Sequence, residues 1–125
     1  MSDKSHEFLD SSLVCIYAQL LPRIREAAKG LGYAIAIHGT MRRDLDLLAV
    51  PWVSEAASAD ELVEMVAKEV GGFVVGGGGP EPLAYGKLQG GPTDQPHGRR
   101  SWNICWGGRP FIDLSVMPRR LDETA

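Results

Sequence analysis

The sequence predicts an α+β fold: a mixed or antiparallel sheet of four or five strands with two or three helices packed on one face. Three observations carry that prediction. Apolar residues near the start, Phe8, Leu9, Leu13, Ile16 and Leu20, recur at helical spacing. Segments at 33–38, 44–50, 100–106 and 110–116 alternate large and small or apolar and polar side chains at period two, the mark of strands. Between the two strand pairs, Ser58-Ala-Asp-Glu61 forms a capping box ahead of an apolar stripe, which marks a helix.

Taken in order, the first helix starts near Asp10 and Ser11 and runs to Leu21. Pro22 cannot continue a helix but suits the first turn of another, so 22–29 is expected as a second helix or a kinked continuation. Gly30 and Gly32 are its C-terminal stops. Two strands follow, 33–38 and 44–50, joined through Gly39 to Arg43 as an antiparallel hairpin and ended by Pro51. The helix after Ser58 buries Leu62, Val63, Val66 and Val70 and stops at Gly71-Gly72. Phe73-Val-Val75 reads as a short strand, and the Gly- and Pro-rich run from Pro80 to Gly98 as a long loop. The Gly76–Gly79 run lacks phosphate-loop spacing and is followed by Pro80 and Pro82, so it reads as a hinge or lid. The clearest hairpin joins 100–106 to 110–116 through Gly107-Gly108. It puts Trp102, Ile104 and Trp106 on one face and Ile112, Leu114 and Val116 together on its partner.

With 125 residues, the chain has the size of one domain, 1–125, with 1–6 and 119–125 expected as frayed tails. A hydrophobic content of 44% and a charged content of 23% exclude a disordered class. The net charge of -3 argues against bulk DNA binding, and no apolar run reaches the length of a membrane span. The first residues show no signal-peptide pattern. Cys15 and Cys105 both lie in apolar stretches and read as small buried hydrophobes, which suits a reducing, cytoplasmic location.

Three carboxylates interrupt otherwise apolar strands: Asp44, Asp46 and Asp113. Asp is disfavoured in strands, so each needs a reason. Asp44 and Asp46 project from one face with Cα atoms ~6.5–7 Å apart. Ionised together, they repel unless a cation lies between them. Such an oxygen set suits Mg²⁺ or Mn²⁺ and can serve phosphoryl or nucleotidyl transfer. The plainer reading is an amphipathic strand with its polar face in water.

The conjunction of Ile37-His38-Gly39-Thr40, Asp44-Leu45-Asp46-Leu47 and Phe111-Ile112-Asp113-Leu114 resembles the nucleotidyltransferase superfamily of the DNA polymerase beta type, over about residues 21–116. That family carries a strand ending in Gly-Ser or Gly-Gly, an acidic Asp-hydrophobic-Asp strand, and a third Asp on a later strand. The resemblance implies a minimal nucleotidyltransferase-like fold, with Asp44 and Asp46 as Mg²⁺ (or Mn²⁺) ligands. Asp113 would be the third ligand or the activator of an acceptor hydroxyl, and Gly39 and Thr40 would contact phosphates. The implied activity is metal-dependent transfer of a nucleotidyl group from a nucleoside triphosphate to an acceptor hydroxyl. Thr40 stands where the family has Ser or Gly, and only four residues separate Gly39 from Asp44. That short link favours an alternative: a module that keeps the fold, lacks activity and binds a protein partner.

Arg42 and Arg43, directly before Asp44, are expected to steady phosphates, because guanidinium binds them bidentately. His38 beside Gly39, and His97 and Arg99 ahead of the Trp102 strand, are further candidates. His97 can act as acid, base or ligand, or can simply be an exposed loop residue. A third reading is single-stranded nucleic-acid binding along 99–106, with Trp102 and Trp106 stacking bases and Arg99 and Arg100 on phosphates.

Overall fold

The computed structural model describes residues 3–41, 44–76, 92–105 and 111–120. Along the chain these form α1 (Asp3–Gly30), β1 (Tyr33–His38), β2 (Leu45–Pro51), α2 (Ala59–Val70), β3 (Phe73–Gly76), β4 (Thr93–Asp94), β5 (Arg100–Cys105) and β6 (Phe111–Val116). A single 3₁₀ turn, Pro96–Gly98, precedes β5. The architecture is α+β, as the periodicities predict. The sheet is mixed, with strand order β1-β2-β6-β5-β3, and β4 joins the β3 side of β5. Every pairing among the described strands is antiparallel except β2 with β6.

Alternation decides which face of each strand is buried. Leu45, Leu47 and Ala49 of β2, Ile112, Leu114 and Val116 of β6, and Trp102 and Ile104 of β5 point into one core. That core also holds Tyr17, Leu21, Ile24 and Ala28 of α1 and Leu62, Val63, Val66 and Ala67 of α2. The opposite face carries the alternate residues, among them Asp46, Leu48, Asp113 and Ser115.

The ends of α2 match their sequence signals. Ser58 is the N-cap and exchanges reciprocal bonds with Glu61: the Glu61 N–H donates to Ser58 Oγ and the Ser58 N–H to Glu61 Oε1, both at 3.2 Å. Gly71 closes the helix in the left-handed region at φ 71. Arg23 ties α1 to this end, donating from Nη2 to the Glu69 carbonyl at 3.1 Å.

Four expectations are corrected, at Asp44, Cys15, the long loop and Trp102. Asp44, expected on the strand beside Asp46, lies in the bend ahead of β2, which begins at Leu45. At Pro22 the chain takes the continuation and not a second helix, α1 passing through it as one helix of 28 residues. Pro22 and Ala18, whose carbonyl loses its partner, both lie on the exposed side, where water can take the vacated acceptor. Among residues 14–30 of α1 the buried ones are Tyr17, Leu21, Ile24 and Ala28, and Cys15 and Ile16 are exposed; only Cys105 is a buried thiol. The long loop is not wholly irregular, since β4 and the 3₁₀ turn fall within it. Trp102 is fully buried and has Arg100 over its ring at 5.3 Å from the centroid, so it presents no free face for stacking a base. Trp106 and the 77–91 stretch lie outside the described residues. No helix among the described residues is long and apolar enough to cross a membrane.

Candidate functional site

The two hairpins and the parallel β2–β6 pairing place four polar residues in a single row. His38 of β1 pairs with Asp46 of β2, Asp46 with Asp113 of β6, and Asp113 with Asn103 of β5. Register partners share a face, so the row runs across the side of the sheet that the helices leave uncovered. Neighbouring strands lie ~4.8 Å apart, which brings the Asp46 and Asp113 carboxyls side by side.

The turn after β1 is shaped around this row. Gly39 adopts φ +82, and a Cβ at that position would lie 2.8 Å from Asp46 Oδ2. Both the left-handed backbone and the close approach require glycine. Met41 also has positive φ, at 61, an uncommon state for a residue with a long side chain. Thr40 and Asp44 are exposed on either side of this bend. Arg42 and Arg43, expected as phosphate contacts, lie outside the described residues.

The electrostatics follow from the crowding. Burial pushes the Asp46 carboxyl above its ordinary range; His38 opposes the shift and Asp44 adds to it. Asp113 is raised chiefly by burial and then by Asp46, with Asp44 adding, while His38 and Arg99 oppose. The Tyr17 phenol is pushed up to about 12 by burial, with the charges of Asp44 and Asp46 contributing. Three carboxylates therefore share one electrostatic neighbourhood at the acidic end of β2.

Whether this neighbourhood suits a divalent ion depends on its donors. Asp46 and Asp113 offer hard oxygen ligands in adjacent positions, and their mutual repulsion is what a cation relieves. Asp44 sits at the exposed bend. Among the described residues, no group of three or more His, Cys, Asp or Glu side chains is assembled as a metal site. The chain thus supplies a carboxylate pair with the right chemistry, and a third acid close enough to act on both electrostatically.

The remaining candidates also converge. His38, His97 and Arg99 line a cleft of about 290 Å³, together with Leu48, Ser115 and Met117. Leu48 and Ser115 are register partners two residues beyond Asp46 and Asp113, so the cleft adjoins the acidic row on the same face. Sequence reasoning missed Asn103 and Ser115. A strict register for the β5–β6 hairpin would have placed Asn103 opposite Asp113, because hairpin pairing follows from where the turn lies. Nothing local marks Ser115 as lining a cleft.

Comparison of the chain with protein-family models, with curated proteins and with solved structures gave no match.

Proposed function

We propose that this chain is a minimal nucleotidyltransferase-like protein that binds a nucleoside triphosphate with Mg²⁺ or Mn²⁺ at Asp44, Asp46 and Asp113. The observation that carries the reading is the pairing of Asp46 with Asp113 on parallel strands, with Gly39 packed against the Asp46 carboxylate. Asp46, with Asp44 at the bend, would hold the ion. The ion, when bound, supplies positive charge that polarises the phosphate under attack. Gly39 and Thr40 offer backbone N–H groups to the phosphates. Asp113, raised by burial and by Asp46, is suited to take the proton of an acceptor hydroxyl on its carboxylate oxygen.

Calorimetric titration of the protein with each nucleoside triphosphate, with and without Mg²⁺ or Mn²⁺, tests the reading. Metal-dependent binding that is lost in Asp46→Asn supports it, and the absence of any metal-dependent binding by the wild type rules it out.

A second reading, a non-catalytic binding or assembly module on the same fold, is favoured by one observation. Only four residues link Gly39 to Asp44. It predicts a folded protein that binds neither metal nor nucleotide.

A further inference from the structure

The cleft beside the acidic row has features that nucleotide and metal binding do not use. It is lined by Leu48, Ser115 and Met117 together with His38, His97 and Arg99. Two imidazoles and a guanidinium thus share one small cleft with two apolar side chains. Guanidinium and imidazole N–H groups are the usual partners of phosphate oxygens.

The turn that carries two of these residues is held in a costly conformation. His97 adopts φ 68, ψ 26, inside the 3₁₀ turn, and Gly98 follows at φ 77. A left-handed non-glycine residue is strained and persists only when its surroundings impose it. Several contacts impose it here. The Gln95 N–H donates to the Arg99 carbonyl at 3.0 Å, and Arg99 Nη1 donates to the Pro96 carbonyl at 3.1 Å. Gln95 Nε2 donates to Ser101 Oγ at 3.2 Å, fastening the turn to β5. Gly98 packs closely enough on Pro118 that a Cβ would lie 3.4 Å from Pro118 Cγ, fastening the turn to the segment after β6. The turn is therefore built to set His97 and Arg99 on the cleft wall.

We propose that this cleft is a phosphate-binding subsite, and that it receives a phosphorylated small molecule presented to the acidic row. Arg99 and His97 bind the phosphate oxygens, and the apolar body of the ligand lies on Leu48 and Met117. In the role of acceptor subsite the proposal rests on the nucleotidyl-transfer reading; as a phosphate subsite it stands without it. The volume is near the lower end of the ~300–1,000 Å³ typical of small-ligand sites, which suits a sugar phosphate rather than a polymer. His38 belongs to both the acidic row and the cleft wall, so a ligand held here has its other end directed toward Asp46 and Asp113.

The test is a nuclear magnetic resonance titration of the full chain in EDTA, with inorganic phosphate, ribose 5-phosphate and ribose as probes. Phosphate and ribose 5-phosphate are expected to give saturable amide shifts at residues 97–99 and 115, and ribose none. Arg99→Met and His97→Asn should each weaken binding about tenfold or more, since a charged hydrogen bond is lost. Asn tolerates the left-handed backbone of residue 97, so His97→Asn preserves the turn if Arg99→Met loosens it. Asp113→Asn should leave phosphate binding in place or tighten it. Shifts confined to other surfaces, or unchanged affinity in both cleft variants, would overturn the proposal. Phosphate binding at the cleft without metal-dependent nucleotide binding would retain this subsite and reject the transferase reading. Nucleotide binding without phosphate at the cleft would do the reverse.

Discussion

Asp46 and Asp113 stand opposite one another on β2 and β6, the single parallel pair among the described strands. The Leu45–Ile112 and Leu47–Leu114 pairs on either side point the other way, into the core. The backbone positions that carry the carboxyls cannot move apart without slipping the register of β2 against β6, and a slip of one residue would expose that apolar set. The sheet therefore holds like charges together, and the helices supply the burial energy that keeps them there. Asn103 and His38 flank the pair as neutral and basic neighbours in the same row.

This arrangement makes a pH prediction with a definite sign. The Asp113 carboxyl is raised in the folded protein above the ordinary value of 3.8. In the window from that value up to the raised folded one, the native state binds more protons than the unfolded chain. Stability from this group therefore increases as pH falls through the window and is lowest where the carboxyl is fully ionised. Urea unfolding of wild type and Asp113→Asn, followed from pH 7 down to pH 4, checks it. The variant should be the more stable at pH 7, and its stability should gain less on acidification. Parallel curves for the two proteins would contradict the assignment.

Gly39→Ala tests the turn that abuts this pair. The substitution places a Cβ 2.8 Å from Asp46 Oδ2 and forces an L side chain to φ +82. The backbone cost alone is about 1–2 kcal/mol, and the carboxylate must rotate away as well. Thermal or urea unfolding should show that loss. Under the nucleotidyltransferase-like reading, metal-dependent nucleotide binding should fall further than the stability loss explains, because Asp46 has been displaced. A variant as stable as wild type would show that residue 39 does not need the left-handed region.

How much of this was legible in the sequence depends on the range of each interaction. The alternations along 45–50, 100–105 and 111–116 are local, and strands form there as expected, β5 pairing antiparallel with β6; Asp44, expected as the first residue of its strand, falls instead in the bend ahead of β2, and the Gly107-Gly108 turn lies outside the described residues. The capping box at Ser58 and Glu61 is equally local and forms with both of its bonds. The partnership of β2 with β6 joins segments far apart in the chain, and no local pattern reveals it. Pro22 leaves a second helix and a continuation both open because propensity takes no account of which side of the helix it occupies, and here that side is exposed. Cys15 and Ile16 fall outside the core for a similar reason. Apolar type identifies a stripe, but packing against the sheet selects Tyr17, Leu21, Ile24 and Ala28. His38, His97 and Arg99 stand out singly by residue type, while their meeting in one cleft is a product of tertiary structure.

Removing the cap of α2 gives a stability change remote from the site. Ser58→Ala deletes the hydroxyl that accepts the Glu61 N–H and leaves the Glu61 carboxylate to hold the cap alone. Losing a serine cap costs about 1 kcal/mol. Urea unfolding should show that decrease with an unchanged slope, and phosphate or nucleotide binding should be unaffected, since α2 packs on the face opposite the acidic row. A binding defect in this variant would mean that the two faces are coupled.

Trp102 offers a test in which two opposing effects nearly cancel. Its indole is fully buried, and its Nε1–H has no hydrogen-bond partner among the described residues. Leaving such a donor unsatisfied costs ~1–3 kcal/mol, while removing buried ring atoms opens a cavity of similar cost in a core that cannot relax fully. Trp102→Phe removes both the orphaned donor and part of the ring, so its net cost should be under about 1.5 kcal/mol. Trp102→Leu also removes the donor, but it loses more volume and the aromatic face over which Arg100 sits at 5.3 Å. Leu should therefore be the more damaging of the two in urea unfolding. If Phe is instead as costly as Leu, the indole N–H has a partner that stabilises it, and the donor is not a liability of this core.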